Sequence, residues 1–415
     1  MDHAVAQRRT LPTLMTGVVL SGAAMAGAYA TAAVLADDIT GSDTWAGLAA
    51  ACLTIGSALA SVPLSRYMGR HGRRPGLRAA WSIAAVGGGA AFLAAILDLY
   101  PLLVVGILCI GVGNSGNLAA RFAAADLAPE DQRARSIGLL VWATTIGSVL
   151  GPTVALGWAG SAAEAVGLPE LSGPYLLSLG LFGTAAVFIE RRLRPDPLVL
   201  AGGLTPDGGP SAWQTIGPTF RRIFRSPSAR LAVVAMIIGH AVMVSVMTMT
   251  PLHMKDGEHE LRIIGFVISL HIVGMYAFSP AVGWLVDVIG PRPVIVIGGL
   301  QLFVGAELAS HTDPEDSLGV YSGLFLIGLG WSFGLIAGSS LLTGAFPVAD
   351  RVTIQGAADL AMTGAGAAAG VAAGFIVSAT SYHDFSHNAG LTGAALSLVV
   401  LATSASRTLT ARSAP

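Results

Sequence analysis

Runs of about 20 mostly apolar residues, each long enough to cross a bilayer as a helix, recur along the whole chain. Twelve stand out: residues 13–36, 44–64, 79–97, 101–123, 136–158, 174–190, 231–253, 263–285, 293–310, 318–342, 353–379 and 389–406. A segment in hydrocarbon has to pair its own backbone N–H and C=O groups, so each run reads as a helix and the chain as an all-α membrane protein. Composition agrees, with 53% hydrophobic and only 11% charged residues, where soluble domains carry about 25% charged. The first run is too long for the apolar part of a signal peptide and is followed by further spans, so it counts as a span itself. Glycine is abundant (53 residues), and small residues let membrane helices approach closely. Cys52 and Cys109 lie within apolar runs without a CxxC partner, which predicts neither a disulfide framework nor a thiolate metal site. A net charge of −1 leaves no basic excess for nucleic acid.

Arg and Lys set the orientation. With the N-terminus placed in the cytoplasm, all 23 basic residues except Lys255 and Arg262 fall on the cytoplasmic side. The opposite loops are acidic: Asp37, Asp38, Asp43, Asp98, Glu164, Glu170, Asp313, Glu315, Asp316 and Asp384. The expectation is a multi-pass protein with both termini cytoplasmic, and the compact loops point to a bacterial cytoplasmic membrane. The longest polar stretch, 191–230, contains Pro195, Pro197, Pro206, Gly208, Gly209 and Pro210. It reads as a linker between an N-terminal six-helix bundle (1–190) and a C-terminal one (231–415). Within it, Trp213–Arg225 is either an interfacial helix or a plain tether.

The two halves look like copies. After span 2 the chain reads SRYMGRHGRRP, and after span 8 GWLVDVIGPRP. One offset of 218 carries Gly72 to Gly290, Arg74 to Arg292, Pro75 to Pro293, Arg133 to Arg351 and Gly138 to Gly356. Two similarly oriented six-helix repeats imply a cavity between them and alternating access by rocking. The stretch from Gly283 through Asp287 and Gly290 to Arg292 resembles the loop signature of the major facilitator superfamily, G-x-L-x-D-R-x-G-R-R. The likeness extends to span count, inside termini and central loop. It implies the fold of that superfamily, twelve helices as two six-helix pseudo-repeats, and a secondary transporter rather than an enzyme.

By that resemblance, a cytoplasmic latch is expected at Arg70, Gly72, Arg73, Arg74, Gly283, Asp287, Gly290, Arg292 and Arg351. Glycines admit a tight turn, and carboxylate and arginines bond neighbouring helix ends. Both copies depart from the signature: Gly69 replaces the first acid, and Val288 the second arginine. Asp287 is left with Arg351 or an arginine of the first half as partner. In span 5, Gly138, Gly147, Gly151 and Pro152 resemble the antiporter motif of the superfamily's drug–proton exchangers, although its final glycine pair is Ala155–Leu156 here. The same spacing also serves helix packing. The arginine those exchangers carry early in span 4 is Ile107.

Candidate substrate or coupling residues lie inside the spans, where polar groups are costly unless they face a cavity or a partner. Asn114 and Asn117 share a stripe with Arg121, which has Asp126 as a nearby partner. Asp359, two turns beyond Arg351, is placed to close a charge network; Glu307 near the outer end either couples protons or snorkels. In span 7, Met236, His240, Met243, Met247 and Met254 share one helix face, and in span 8 His271 and Met275 form H-x-x-x-M. Met243, Met247, His271 and Met275 suit soft Cu(I) and resemble the copper-uptake branch of the superfamily. A methionine-lined cavity for an organic solute and simple packing are the other readings.

No P-loop, H-E-x-x-H or nucleophile elbow is present, so neither ATP hydrolysis nor other catalysis is expected, and no cofactor. The function read from the sequence is alternating-access, proton-coupled export of a small amphipathic organic solute or drug by a monomer in the lipid bilayer. Copper import through the Met/His stripe is the alternative, and a transport-inactive sensor of the same fold is a third possibility.

Overall fold

The computed structural model describes residues 3–205, 211–256, 261–311 and 317–412. Pro206, Gly208, Gly209 and Pro210 of the linker and Asp313, Glu315 and Asp316 of the acidic loop lie outside these, and so do the side chains of Asp43, Arg262, Arg407 and Arg412. Every regular element among the described residues is helical. Twelve helices are long and apolar enough to span: α1 His3–Thr40, α2 Thr44–His71, α3 Arg73–Leu97, α4 Tyr100–Ala123, α5 Glu130–Ala165, α6 Glu170–Leu200, α7 Pro227–Lys255, α8 Gly265–Ile289, α9 Pro291–Ser310, α10 Leu318–Gly344, α11 Val348–Ala379 and α12 Tyr382–Thr403. Most extend beyond the hydrophobic runs because polar first and last turns continue the same helix, as in α1, where Arg8 and Arg9 are already helical.

Proline and glycine punctuate the rods. Proline lacks the N–H that would close a helical turn and its ring crowds the carbonyl four residues back. Accordingly α5 runs as regular helix over Arg133–Pro152 and then widens into a π-helical coil over Thr153–Gly160. In α8 the helix stops at Tyr276 and restarts at Ser279, with Pro280 in the new first turn. Between α2 and α3 the chain turns at Gly72, with φ 100° and ψ 169°. Between α8 and α9 it turns at Gly290, with φ 87° and ψ 162°. Both are backbone conformations that L side chains resist, and the two positions are the ones related by the 218-residue offset.

The chain forms two compact units. The first comprises 1–130, 139–222 and 346–364; the second comprises 131–138, 223–345 and 365–415. The first therefore takes in the opening turns of α11, and the second those of α5. In the first unit α4 packs on α2 and α3, and α6 on α1 and α3. In the second, α10 packs on α7, α8 and α9, and α9 on α12. Small residues permit these approaches. A Cβ on Gly87 of α3 would stand 2.6 Å from the Gly106 carbonyl oxygen of α4, and a Cβ on Gly305 of α9 would stand 2.7 Å from that of Gly323 of α10. Gly87 and Gly305 are again 218 apart. Trp81, Phe182 and Tyr175 fill the first core without exposure.

Candidate functional site

The most heavily charged interior lies in the first unit, where α3, α4 and the start of α11 meet. Arg121, at the end of α4, is 2% exposed. Its guanidinium pairs with the Asp359 carboxylate of α11: Nη2 donates to Oδ1, and Nη1 stands 3.5 Å from Oδ2. Nη1 also donates to the Leu118 carbonyl at 2.6 Å, and the group lies 4.2 Å from the Phe122 ring centre. Arg73, 1% exposed, holds Asp126 with two bonds of 2.8 and 3.2 Å and donates to Gln355 Oε1 of α11 at 2.8 Å. The partner of Arg121 is thus Asp359 and not the nearby Asp126, because Arg73 claims Asp126. Two buried ion pairs neutralise four charges that would be severely costly singly. Ser61, Ser65, Ser115, Arg73, Gln355 and Asp359 line a void of about one water molecule between them. Gly356 lies against α2 so closely that a Cβ there would collide with the Ser65 side chain.

The latch positions divide between the units. In the first, the Gly72 turn presses on the Asp196 carboxylate, where a Cβ would stand 2.5 Å from Oδ2. Asp196 accepts from the Arg74 N–H at 2.7 Å and from the N–H groups of Leu198 and Val199, so one carboxylate caps the start of α3 and the separate last turn of α6, Pro197–Leu200. The Arg74 side chain reaches Glu190 at 3.7 Å, Arg70 is half-buried, and Arg351 donates Nε to the Phe346 carbonyl at 3.0 Å. In the second unit Asp287 bonds to the backbone at the start of α5, with the Arg133 charge adding attraction from nearby. It accepts from the backbone N–H groups of Ala134 and Arg135 at 3.0 and 2.9 Å, capping the positive end of α5. Gly283 and Gly138 let that contact form: a Cβ on Gly283 would meet the Ala134 carbonyl at 2.5 Å, and one on Gly138 would strike the Ser279 carbonyl. Gly290 opens the turn into α9 and Arg292 is half-buried just beyond. Outside the spans, Arg222 is held above the usual guanidinium range by its hydrogen bond to Asp350.

Gly147 and Gly151 pack α5 on α1, with Cβ positions 2.7 Å from Ala23 N and 2.6 Å from Ala23 O. Pro152 directly precedes the π-helical coil. Donor–acceptor logic fixes the buried polar side chains. Trp81 Nε1 can only donate, and it meets Asn117 Oδ1 at 3.0 Å, with Ser21 Oγ on the same oxygen at 2.6 Å. Asn117 therefore turns its NH2 the other way, buried and without a partner. Asn114 donates to Ser57 Oγ of α2 at 3.1 Å.

In the second unit, Trp331 Nε1 of α10 donates to His240 Nδ1 at 3.0 Å, so the His240 proton is on Nε2. Tyr276 stands edge-on to Trp331 at 5.6 Å. His271 is fully buried; its Nδ1 donates to the Leu324 carbonyl at 2.7 Å, which leaves Nε2 unprotonated in the neutral ring and without a partner. Met243 and Met275 are buried and Met247 half-buried, while Met236 packs over Gly338. α7 and α8 meet only briefly and each leans on α10, with Met236 of α7 against Gly338 and His271 and Met275 of α8 against Gly328. At the acidic end, Glu307 is bonded to His387 at 2.7 Å and reaches His311 at 3.4 Å. Among the described residues no three His, Cys, Asp or Glu side chains are grouped to hold a metal ion.

Twelve rods long and apolar enough to cross a bilayer, with paired charges and orphaned polar atoms in their cores, define a polytopic helical membrane protein. The family model described as Major Facilitator Superfamily matches residues 14–371, and the chain belongs to that superfamily. It is 34% identical over 394 residues to YdeG of Bacillus subtilis (strain 168), an uncharacterised MFS-type transporter, covering 95% of this chain and 90% of that one. It is 25% identical over 391 residues to the riboflavin transporter RfnT of Brucella anthropi, covering 92% of each. The fold is similar to that of the human organic anion transporter MFSD10, with a TM-score of 0.74 at 15% identity over 95% of this chain and 99% of that one.

Sequence reasoning did not single out Gln355, Asp196 or Trp331. Asp196 carries a signal, an acid directly before Pro197 at a helix start. Gln355 is a polar residue one turn before Asp359 in an otherwise small-residue helix.

Proposed function

We propose that this transporter moves a small, amphipathic, partly aromatic organic solute against protons, in the export direction that the α5 motif implies, by alternating access across a bacterial cytoplasmic membrane. The observation that carries the coupling is the Arg121–Asp359 pair. Asp359 is the one member that can surrender its charge, since a guanidinium stays protonated. A proton on Asp359 cancels the attraction that holds the first half of α11 to α4. Arg121 keeps the Leu118 carbonyl and the Phe122 face meanwhile. The capped α5 start at Asp287 and the Gly356–Ser65 approach are the further contacts that one state of the cycle makes and the other releases.

The solute class rests on the second unit, where the rings of Trp331, Tyr276 and His240 cluster and Met243 adds a pliable apolar side chain. Riboflavin, the solute of the relative RfnT, is planar and amphipathic in the same sense. Asn117, with a spare NH2 group, is the polar donor of the first unit. The test uses proteoliposomes with an imposed pH gradient and a panel of planar amphipathic solutes. Gradient-driven flux of at least one solute is expected, and Asp359→Asn abolishes it while solute counterflow persists. Flux indifferent to the pH gradient, or surviving in Asp359→Asn, overturns proton coupling.

Copper import remains the second reading, favoured by the buried, unengaged His271 Nε2 one turn from Met275. His271→Leu with Met247→Ile would then abolish cellular copper accumulation at unchanged expression. Unaltered copper levels dispose of it.

A further inference from the structure

The short helix Ile216–Arg225 has no part in the transport cycle described above. Thr219 and Ile223, one turn apart, form its buried face. At 100° per residue, Arg221, Phe224 and Arg225 project on the opposite side, with Arg222 at the flank. Residues 211–230 hold Arg221, Arg222, Arg225 and Arg230 and no Asp or Glu. Arg222 is engaged by Asp350 through bonds of 3.1 and 2.6 Å. Arg221 and Arg225 are exposed and form no ion pair among the described residues. Trp213, in the turn leading into the helix, and Phe224 are each 51% exposed. The helix ends at Arg225, and the spanning helix α7 starts two residues later, at Pro227.

We propose that this helix is a docking surface for anionic phospholipid headgroups, with Arg221 and Arg225 pairing with lipid phosphate and Trp213 and Phe224 seated at the headgroup boundary. Charge complementarity selects the partner. An acid-free cationic face attracts the negative leaflet, the guanidinium fork matches two phosphate oxygens, and amphipathic rings prefer the headgroup level. Continuity with α7 puts the surface where a membrane helix begins, which favours lipid over an acidic protein. Thr219 and Ile223 anchor the helix to the body of the protein, so the headgroups meet a fixed cationic row.

The experiment uses the full-length protein in nanodiscs of phosphatidylcholine mixed with phosphatidylglycerol, with brominated chains on one lipid at a time. The Trp213 contribution to quenching is the difference between the protein and its Trp213→Phe variant. Brominated phosphatidylglycerol is expected to quench Trp213 more strongly than brominated phosphatidylcholine. Each exposed arginine near the surface contributes roughly five-fold in affinity, so Arg221→Gln/Arg225→Gln should cut the preference about 25-fold. Arg221→Lys/Arg225→Lys should keep most of it, and Arg8→Gln/Arg9→Gln should leave it intact. High salt should weaken it, and the melting temperature reports that each variant is folded. Equal quenching by the two lipids, a preference that survives the double Gln variant, or a preference abolished by inorganic phosphate overturns the proposal. So does a Trp213 shielded from both lipids, since another protein or a second copy would then cover the surface.

Discussion

At the scale of single residues, the decisive feature is that buried charges are paired across long stretches of chain. Arg121→Leu removes one partner and strands Asp359, so it should destabilise the folded protein by about 3 kcal/mol. Arg121→Leu/Asp359→Leu removes both charges and should recover most of that loss, read as midpoints of chemical or thermal unfolding in detergent. Asp287 caps the start of α5, so Asp287→Ala should cost about 1 kcal/mol while Asp287→Asn, itself a good cap, costs a few tenths. Those partners were the least legible part of the chain. Nothing local to Arg121 distinguishes Asp126, five residues on, from Asp359, because the choice depends on Arg73 reaching Asp126 first. The hydrogen bonds to Asp287 come from a pair of backbone N–H groups, which have no side-chain signature at all.

At the scale of elements, glycine spacing is read twice over, as motif and as surface. Gly138 lies directly against the Ser279 carbonyl, so Gly138→Val should lift the first turns of α5 from α8. Faster amide exchange over residues 133–140 would report it, with the rest of α5 unchanged. Pro152 directly precedes the π-helical coil, whose i→i+5 bonds close a wider turn than those of a regular helix. Pro152→Leu should let regular helix run on and lower solute flux without lowering the melting temperature. Helix number, type and approximate extent were open to reading from hydropathy, since lipid leaves the backbone so little choice. The loop glycines Gly72 and Gly290 were legible for a related reason: a positive φ all but demands glycine. The break in α8 and the wide coil in α5 were not. Many membrane helices carry proline without breaking, and only neighbouring packing decides which ones do.

For the whole molecule, the asymmetry of basic residues predicts which loops face the cytoplasm. Glu164, in the last turn of α5, and Arg194, just past Arg192 where the regular helix of α6 ends, are both exposed. With Cys52 and Cys109 replaced by alanine, a membrane-impermeant maleimide should label Glu164→Cys in intact cells and reach Arg194→Cys only after the cells are opened. The reverse pattern would invert the protein in the membrane and turn the proposed export into uptake. The pairing of Arg121 with Asp359 also has a consequence for biogenesis. The two residues are 238 positions apart. At about 5–20 residues per second of synthesis, α4 enters the bilayer some 10–50 s before its counter-ion leaves the ribosome. For that interval the guanidinium can draw on the Leu118 carbonyl, the Phe122 ring and the polar lipid boundary, but not on its carboxylate. A nascent chain truncated before α11 should therefore hold α4 displaced toward the lipid surface, and seat it at its final depth only once Asp359 has been made.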